Sequence, residues 1–147
     1  MNKSSKIKTV LTLSFILYGS VACAKTTYMP KELRGVWYEH NSQGREQCKV
    51  YRQDKSIDNQ IGALIIRKNN YDTYAEYGEG NHAVPTRVRP LGTRRWWIQD
   101  MTYLDGSSEG ILDDSIFAIK KTLLHWTYSY RDEGKKVKHT KILFKCL

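Results

Sequence analysis

The sequence predicts an all-β domain, a single antiparallel up-and-down barrel of about eight strands. Three observations favour this fold class. Short runs rich in aromatic and β-branched residues alternate in polarity with a period of two, turn residues separate these runs at intervals of roughly ten, and no long helical periodicity is present. A two-sheet β-sandwich is the alternative.

The first element is predicted to be a secretory signal peptide. Three lysines near the start of the chain precede an apolar run that ends in Ala22-Cys23-Ala24, a small-x-small cleavage site. The run is shorter than the ~20 residues that a membrane span needs. We therefore expect cleavage to remove residues 1–24 and to leave one periplasmic domain, residues 25–147. The alternatives are secretion from the cell and a lipoprotein anchored to the membrane through Cys23.

Signal removal changes both the charge and the cysteine count. The full chain has 24 basic and 15 acidic residues, and loss of three lysines leaves 21 basic residues and a net charge of +6. An exported basic protein meets acidic proteins or other anions, but little nucleic acid. Only Cys48 and Cys146 remain, an even pair that predicts one structural disulfide in an oxidising compartment. Both cysteines are expected on strands and facing inward.

The strands follow in order after the signal peptide. A single helical turn is expected at Asp54–Gln60, and Asn69-Asn70 is expected to join two strands as a hairpin. The predicted strand segments are RGVWYEH, EQCKVYR, GALIIRK, YDTYAEYG, AVPTRVR, RRWWIQDMTY, SIFAIK, LLHWTYSY and HTKILFKCL.

The last hairpin has a predicted register. The apolar faces of its two strands coincide if the loop has an odd number of residues, such as 133–135 with its central glycine. Trp126 then faces Ile142, and Leu124 faces Phe144.

The stretch RVRPLGTRRWWIQD is the candidate partner-binding site. A hairpin centred on its Leu-Gly pair sets Arg89 opposite Arg94 and Arg87 opposite Trp96, so these four residues share an outer face, and Trp97 points into the core. Arginine and tryptophan dominate interface hot spots. A solvated strand face is the alternative.

The segment MPKELRGVWYEH resembles the G-x-W entry of lipocalins and related calycin barrels, on Gly35-Val36-Trp37. The resemblance implies an eight-stranded barrel in which Trp37 closes one end and a basic residue of the last strand, Lys141 or Lys145, covers it. It also implies a small apolar ligand. With Trp97 and Trp126, Trp37 is expected in the structural core.

The sequence has little that indicates an enzyme. The four histidines are far apart and lack metal-ligand spacing, there is no phosphate-binding glycine loop, and no G-x-S-x-G nucleophile elbow is present. We therefore expect no catalytic residue, metal or cofactor. Hydrolysis by the acidic residues of the 105–114 loop is the alternative.

These observations predict a non-enzymatic periplasmic binding protein. We expect it to recognise an acidic surface of another protein, as an inhibitor or an immunity-type factor does. The alternative is a lipocalin-like carrier of a small apolar or anionic ligand, which requires an open cavity of several hundred Å³.

Overall fold

The computed structural model describes residues 27–75 and 80–147, so the predicted signal peptide and Cys23 lie outside the described residues. Eight strands form one closed antiparallel barrel in which each strand pairs with the next and β8 pairs with β1, which confirms the predicted fold class. An α-helix, α1 (Ser42–Gln53), joins β1 to β2, and short 3-10 turns occupy Lys31–Leu33 and Ile57–Asn59. The strands are β1 (Gly35–Glu39), β2 (Leu64–Ile66), β3 (Tyr71–Tyr74), β4 (Gly80–Gly92), β5 (Arg95–Leu104), β6 (Gly110–Lys120), β7 (Leu123–Asp132) and β8 (Lys135–Lys145).

The barrel interior is filled by rings and branched aliphatic side chains. Trp126 stacks on Phe117 with ring centroids 5.9 Å apart, and Tyr71 meets both rings edge to face. Ile98 and Leu124 are fully buried in the same cluster. The expectation that Trp126 belongs to the core is therefore confirmed.

One end of the barrel is closed by the chain that precedes β1. Met29 and Leu33 are fully buried there, and the Trp37 indole nitrogen donates to the Leu33 carbonyl over 2.7 Å. Trp37 is 2% exposed, as predicted for a core residue. Gly35 has a φ of +138°, and a Cβ at this position would lie 2.5 Å from Cε of Lys145, so only glycine fits without strain.

The second predicted strand, EQCKVYR, is instead part of α1. Asn41 caps this helix by accepting a hydrogen bond from the Gly44 amide over 2.7 Å. A strand would place Cys48 and Val50 on the same side. Val50 is instead 46% exposed, whereas Cys48 and Tyr51 pack against the barrel. The predicted turn at Asp54–Gln60 is confirmed by the 3-10 turn within it.

The helix covers a second, smaller core on the outside of the barrel. Tyr38, Cys48 and Ile65 are buried there, with Phe144 and Cys146 packed against them. Both cysteines therefore face this outer core and not the barrel interior, contrary to expectation. Their pairing agrees with the prediction, since Cys48 and Cys146 lie at disulfide distance with Cα atoms 5.8 Å apart.

The predicted register of the last hairpin is wrong by one residue. Trp126 pairs with Lys141, and Leu124 pairs with Leu143. The loop contains two residues, Glu133 and Gly134, both with positive φ, which is the geometry of a tight type I′ turn.

The reason for this error lies in the outer core. Phe144 and Cys146 are apolar residues of the last segment that face outward, because α1 covers them. The prediction had assigned Ile142, Phe144 and Cys146 to the interior, whereas Leu143 is the buried residue and Ile142 is exposed.

No helix in the described part of the chain has both the length and the apolar character needed to cross a bilayer.

Candidate functional site

The residues of the predicted partner-binding site do not share one face. Trp96 is inside the barrel, packed against the main core, and Trp97 is half-buried on the outside. The two tryptophans thus exchange their predicted positions, and Trp97 is not a core residue. Arg94 lies in the β4–β5 turn, where its guanidinium donates to the Lys121 carbonyl over 3.1 Å.

Two β-bulges explain the exchange. The β4–β5 register shifts between Pro85 and Arg87 and again between Pro90 and Gly92, so Arg89 pairs with Trp97 and not with Arg94. The Leu-Gly pair predicted as the centre of the hairpin belongs to the second bulge, and the turn itself is Thr93-Arg94. A non-glycine residue with a φ of +54°, as at Arg94, leaves no turn signal in the sequence.

The outer surface of β4, β5 and β6 carries arginine and apolar side chains in adjacent rows. Cross-strand partners in a sheet share a face. Because Ile98 is buried inside, its neighbours on β5 face outward together with their partners on β4 and β6. We call this surface the Arg89 face; its rows are Arg89–Trp97–Ile116, Arg87–Gln99–Asp114 and Val84–Met101–Leu112.

The most specific contact on the Arg89 face joins an arginine to a tryptophan. The guanidinium carbon of Arg89 lies 5.2 Å from the Trp97 ring centroid. This is cation–π geometry. Leu112 is 55% exposed and Val84 is 36% exposed, so the same face carries apolar surface two rows away from this contact.

The positive charge of this face is not neutralised within the described residues. No carboxylate in the described part of the chain lies within 4 Å of Arg87, of Arg89, or of Arg95 at the start of β5. Asp114 is the acid in the rows of the face, and Gln99 lies between it and Arg87. The charges of these arginines therefore remain available to an acidic partner.

A cavity of about 160 Å³ opens at the other end of the barrel, opposite the closed end. Leu64 and Leu143 form its apolar wall, and the start of α1 contributes Gln43 and Gln47. Trp126 is also part of the wall. We call this space the mouth cavity.

Two side chains that line the mouth cavity, Trp126 and Lys141, carry donors that the described protein atoms leave partly or wholly unused. The indole N–H of Trp126 is buried and has no hydrogen-bond partner, which costs about 1–3 kcal/mol when nothing accepts from it. Lys141 lies next to Trp126 across the β7–β8 pair and uses one of its three N–H groups on Glu39, over 2.8 Å. Hydrogen bonding to Lys141 lowers the pKa of Glu39.

A fully buried acid lies deeper in the barrel. Asp100 accepts hydrogen bonds from the hydroxyls of Tyr71 and Thr102, each over 2.7 Å. Burial raises the pKa of Asp100, and Asp113, its partner on β6, adds to the effect.

The acids of the 105–114 loop do not converge. Asp113 shares the inner face with Asp100, whereas Asp114 lies on the outer face. Asp105 and Glu109 are exposed in the β5–β6 connection. The paired carboxylates that the hydrolase alternative requires are therefore not assembled by these four residues.

The histidines are dispersed over the barrel. His82 contacts Asp72, which also pairs with Arg67, and His139 packs edge to face on Tyr128. His125 lies on the outer side of β7 with a pKa lowered by burial. Across residues 27–75 and 80–147, no group of three or more candidate ligands is placed to hold a metal ion.

Comparison of this chain with protein-family models, with curated proteins and with solved structures finds no match.

Proposed function

We propose that this protein is an exported binding protein that recognises an acidic surface of another protein through the Arg89 face, in the manner of an inhibitor or an immunity-type factor. The observation that carries the proposal is the position of the Arg89 guanidinium over the Trp97 ring, beside cations without acidic partners in the described residues. The cation–π contact restrains the guanidinium, so less side-chain entropy is lost when a carboxylate binds it.

The distribution of basic residues supports this location. The cations of residues 80–110 are four arginines and no lysine, whereas those of β8 are five lysines and no arginine. Arginine, tryptophan and methionine are enriched at protein interfaces, and lysine is depleted there. The Arg89 face has this interface composition, whereas the cations on the outer side of β8, Lys136 and Lys138, are of the type that is depleted at interfaces.

The size of the mouth cavity bears on the carrier alternative. A pocket that encloses a drug-sized ligand has about 300–1,000 Å³, and the mouth cavity has about 160 Å³. The interior beyond it is filled by Phe117, Trp126 and Tyr71. Recognition on the outside therefore has more support than transport of a lipid-sized molecule inside.

Site-specific photo-crosslinking tests the proposal. A photo-crosslinking amino acid at Ile116, beside Trp97 on the Arg89 face, should give one dominant covalent complex in cells that export the protein, to be identified by mass spectrometry. The same amino acid at Lys138, exposed on β8, is the control. Equal yields of the same complex from both positions would contradict recognition through this face.

The identified partner then allows a quantitative test. Arg87→Glu with Arg89→Glu should weaken binding by roughly 30-fold or more, because hot-spot arginines contribute 2 kcal/mol or more. A matched control, Arg52→Glu with Lys138→Glu, changes the charge equally at exposed positions elsewhere and should leave the affinity within about threefold. Equal losses in both variants would indicate a general charge effect.

A further inference from the structure

The connections between strands differ in charge at the two ends of the barrel. Because the strands run up and down in order, the closed end contains the chain before β1, the β2–β3, β4–β5 and β6–β7 turns and the end of β8. Two hydrogen bonds join neighbouring members of this set. The Met29 amide donates to the Lys68 carbonyl over 2.8 Å, and the Arg94 guanidinium donates to the Lys121 carbonyl over 3.1 Å.

Cations dominate these connections and the strand residues that flank them. Glu32 is the one acid among them, whereas nine residues are basic. At the opposite end, the β5–β6 and β7–β8 connections with their flanking strand residues contain four acids and one cation, Lys135. We call the nine cations of the closed end the basic end; they are Lys31, Arg34, Arg67, Lys68, Arg94, Arg95, Lys120, Lys121 and Lys145.

Most charges of the basic end are exposed and have no acidic partner. Seven of its nine residues are exposed, and Arg34 and Lys145 are half-buried. Within residues 27–75 and 80–147, Arg67 is the one member with a carboxylate closer than 4 Å, in its ion pair with Asp72. Like charges in neighbouring turns repel each other, and an anionic surface relieves this repulsion.

Two apolar side chains are exposed among these cations. Tyr28 is 50% exposed, and the Lys68 ammonium lies 4.6 Å from the centroid of its ring. Leu91, next to the β4–β5 turn, is 39% exposed. Tyrosine is enriched at the interface between bilayer and water, where its ring lies among the head groups and its hydroxyl stays hydrated. The basic end therefore combines positive charge with side chains suited to a lipid surface.

The path of the chain favours a membrane over a soluble polyanion. The segment 27–34 packs at the closed end, where Met29 and Leu33 are buried. The lipoprotein alternative places a lipid on Cys23, four residues before Thr27. Four residues span at most about 14 Å when extended, so such a lipid would hold the basic end next to the bilayer. A lipid anchor and a polybasic surface together give stable membrane attachment.

We propose that the basic end docks on an anionic phospholipid surface, with its cations against the phosphate groups and Tyr28 among the head groups. None of the residues that define the Arg89 face belongs to the basic end, so that face stays free to bind a protein. Vesicle binding requires no protein partner, so either proposal can fail without the other.

Sedimentation with phospholipid vesicles tests the basic end. Cys23→Ser is introduced in every protein, so that a lipid on this residue does not contribute to binding. The protein should bind vesicles of equal parts phosphatidylglycerol and phosphatidylcholine, and should not bind vesicles of phosphatidylcholine alone. Binding should weaken as the salt concentration rises from about 0.1 to 1 M, because the Debye length falls from about 10 Å to about 3 Å.

Charge reversal locates the contact. Lys68→Glu with Lys121→Glu should weaken vesicle binding about 30-fold or more, because two cations at an anionic lipid surface together contribute about this factor. The matched control, Arg45→Glu with Lys138→Glu, has the same net charge and changes exposed residues of α1 and β8 outside the basic end. It should stay within about threefold of the parent. Unchanged circular dichroism spectra establish that both variants are folded.

An uncharged variant separates a lipid surface from a soluble polyanion. Tyr28→Ser should weaken vesicle binding about fivefold, because the exposed half of the ring no longer enters the head-group region. The proposal would be overturned by no binding to phosphatidylglycerol vesicles, by equal binding to phosphatidylcholine, by equal losses in the two charge variants, or by an unchanged affinity of Tyr28→Ser. If polyglutamate were bound through Lys68 and Lys121 while vesicles were not, the basic end would recognise a soluble polyanion instead.

Discussion

The ammonium nitrogen of Lys145 lies 5.3 Å from the centroid of the Trp37 ring, across the β1–β8 pair that closes the barrel. The indole N–H of Trp37 donates to the Leu33 carbonyl, which ties the ring to the segment before β1. The side chain therefore joins three parts of the chain, the segment before β1, β1 itself and the last strand. Of the two lysines proposed from the G-x-W resemblance to cover this tryptophan, Lys145 occupies the position.

Removal of the Trp37 ring should destabilise the closed end strongly. Trp37→Ala should lower the free energy of unfolding by about 3–5 kcal/mol, since it leaves a large cavity beside Leu33. Lys145→Met keeps the stem of the side chain over the ring and should cost less than about 1 kcal/mol. Urea unfolding followed by tyrosine and tryptophan fluorescence measures both. A Trp37→Ala protein as stable as its parent would show that the closed end contributes little.

The cysteine pair ties the outer core together. Cys48 and Cys146 are 98 residues apart in sequence, so their disulfide closes nearly the whole domain. Substituting both with serine should cost about 2–4 kcal/mol, with roughly 4.7 as the chain-entropy limit for a loop of this length. Mass spectrometry of the unreduced protein should show no free thiol at either position. Two free thiols would rule the disulfide out.

The barrel fold could be predicted from the sequence because the signals for its strands are local and repeated. Period-two alternation and turn residues recur through β4 to β8, and each of these strands pairs with its neighbour in the chain before β8 closes the barrel on β1. Alternation placed Trp126 in the core, and the G-x-W resemblance placed Trp37 there. The helix α1 was missed, although Gly44, Cys48 and Tyr51 follow the i, i+4, i+7 spacing of a helix face.

The candidate face was harder to predict than the fold. A single-residue shift exchanges the two sides of a strand, and β4 contains two bulges beside its prolines. Arg89 was placed correctly on the outside, but its partner Trp97 was assigned to the core in place of Trp96. The mouth cavity could not be predicted at all, because it depends on the register that sets Lys141 beside Trp126.

The buried acid makes stability depend on pH. Burial raises the pKa of Asp100 in the folded state above its ordinary value of 3.8. The folded protein therefore binds a proton more tightly than the unfolded chain does, and stability falls as pH rises from about 4 through the raised pKa. Asp100→Asn removes the titrating group and keeps a polar side chain for Tyr71 and Thr102.

Asp100→Asn should flatten the pH dependence of stability above pH 4. The free energy of unfolding of the parent should decrease relative to that of the variant as pH increases from about 4 to 7. Asp105→Asn is the control, since Asp105 is exposed in the β5–β6 connection and should change this dependence little. Parallel curves for the parent and Asp100→Asn would show that the acid has no raised pKa.

The adjacent tryptophans give the sharpest test of the strand register on which the Arg89 face depends. Trp96 packs against the main core, whereas Trp97 lies outside under Arg89. Trp96→Ala should therefore cost about 3 kcal/mol or more in the free energy of unfolding. Trp97→Ala should cost about 1 kcal/mol or less, because its main specific contact is a cation–π pair near the surface.

The two variants should also differ in function, in the opposite order. Trp97→Ala should keep the fold, as judged by an unchanged far-ultraviolet circular dichroism spectrum, and should reduce crosslinking from Ile116, since the ring that positions Arg89 is gone. Trp96→Ala, measured at a temperature where it remains folded, should crosslink like the parent. If Trp97→Ala were the more destabilised of the two, Trp97 would be the core residue, and the Arg89 face would lose its central contact.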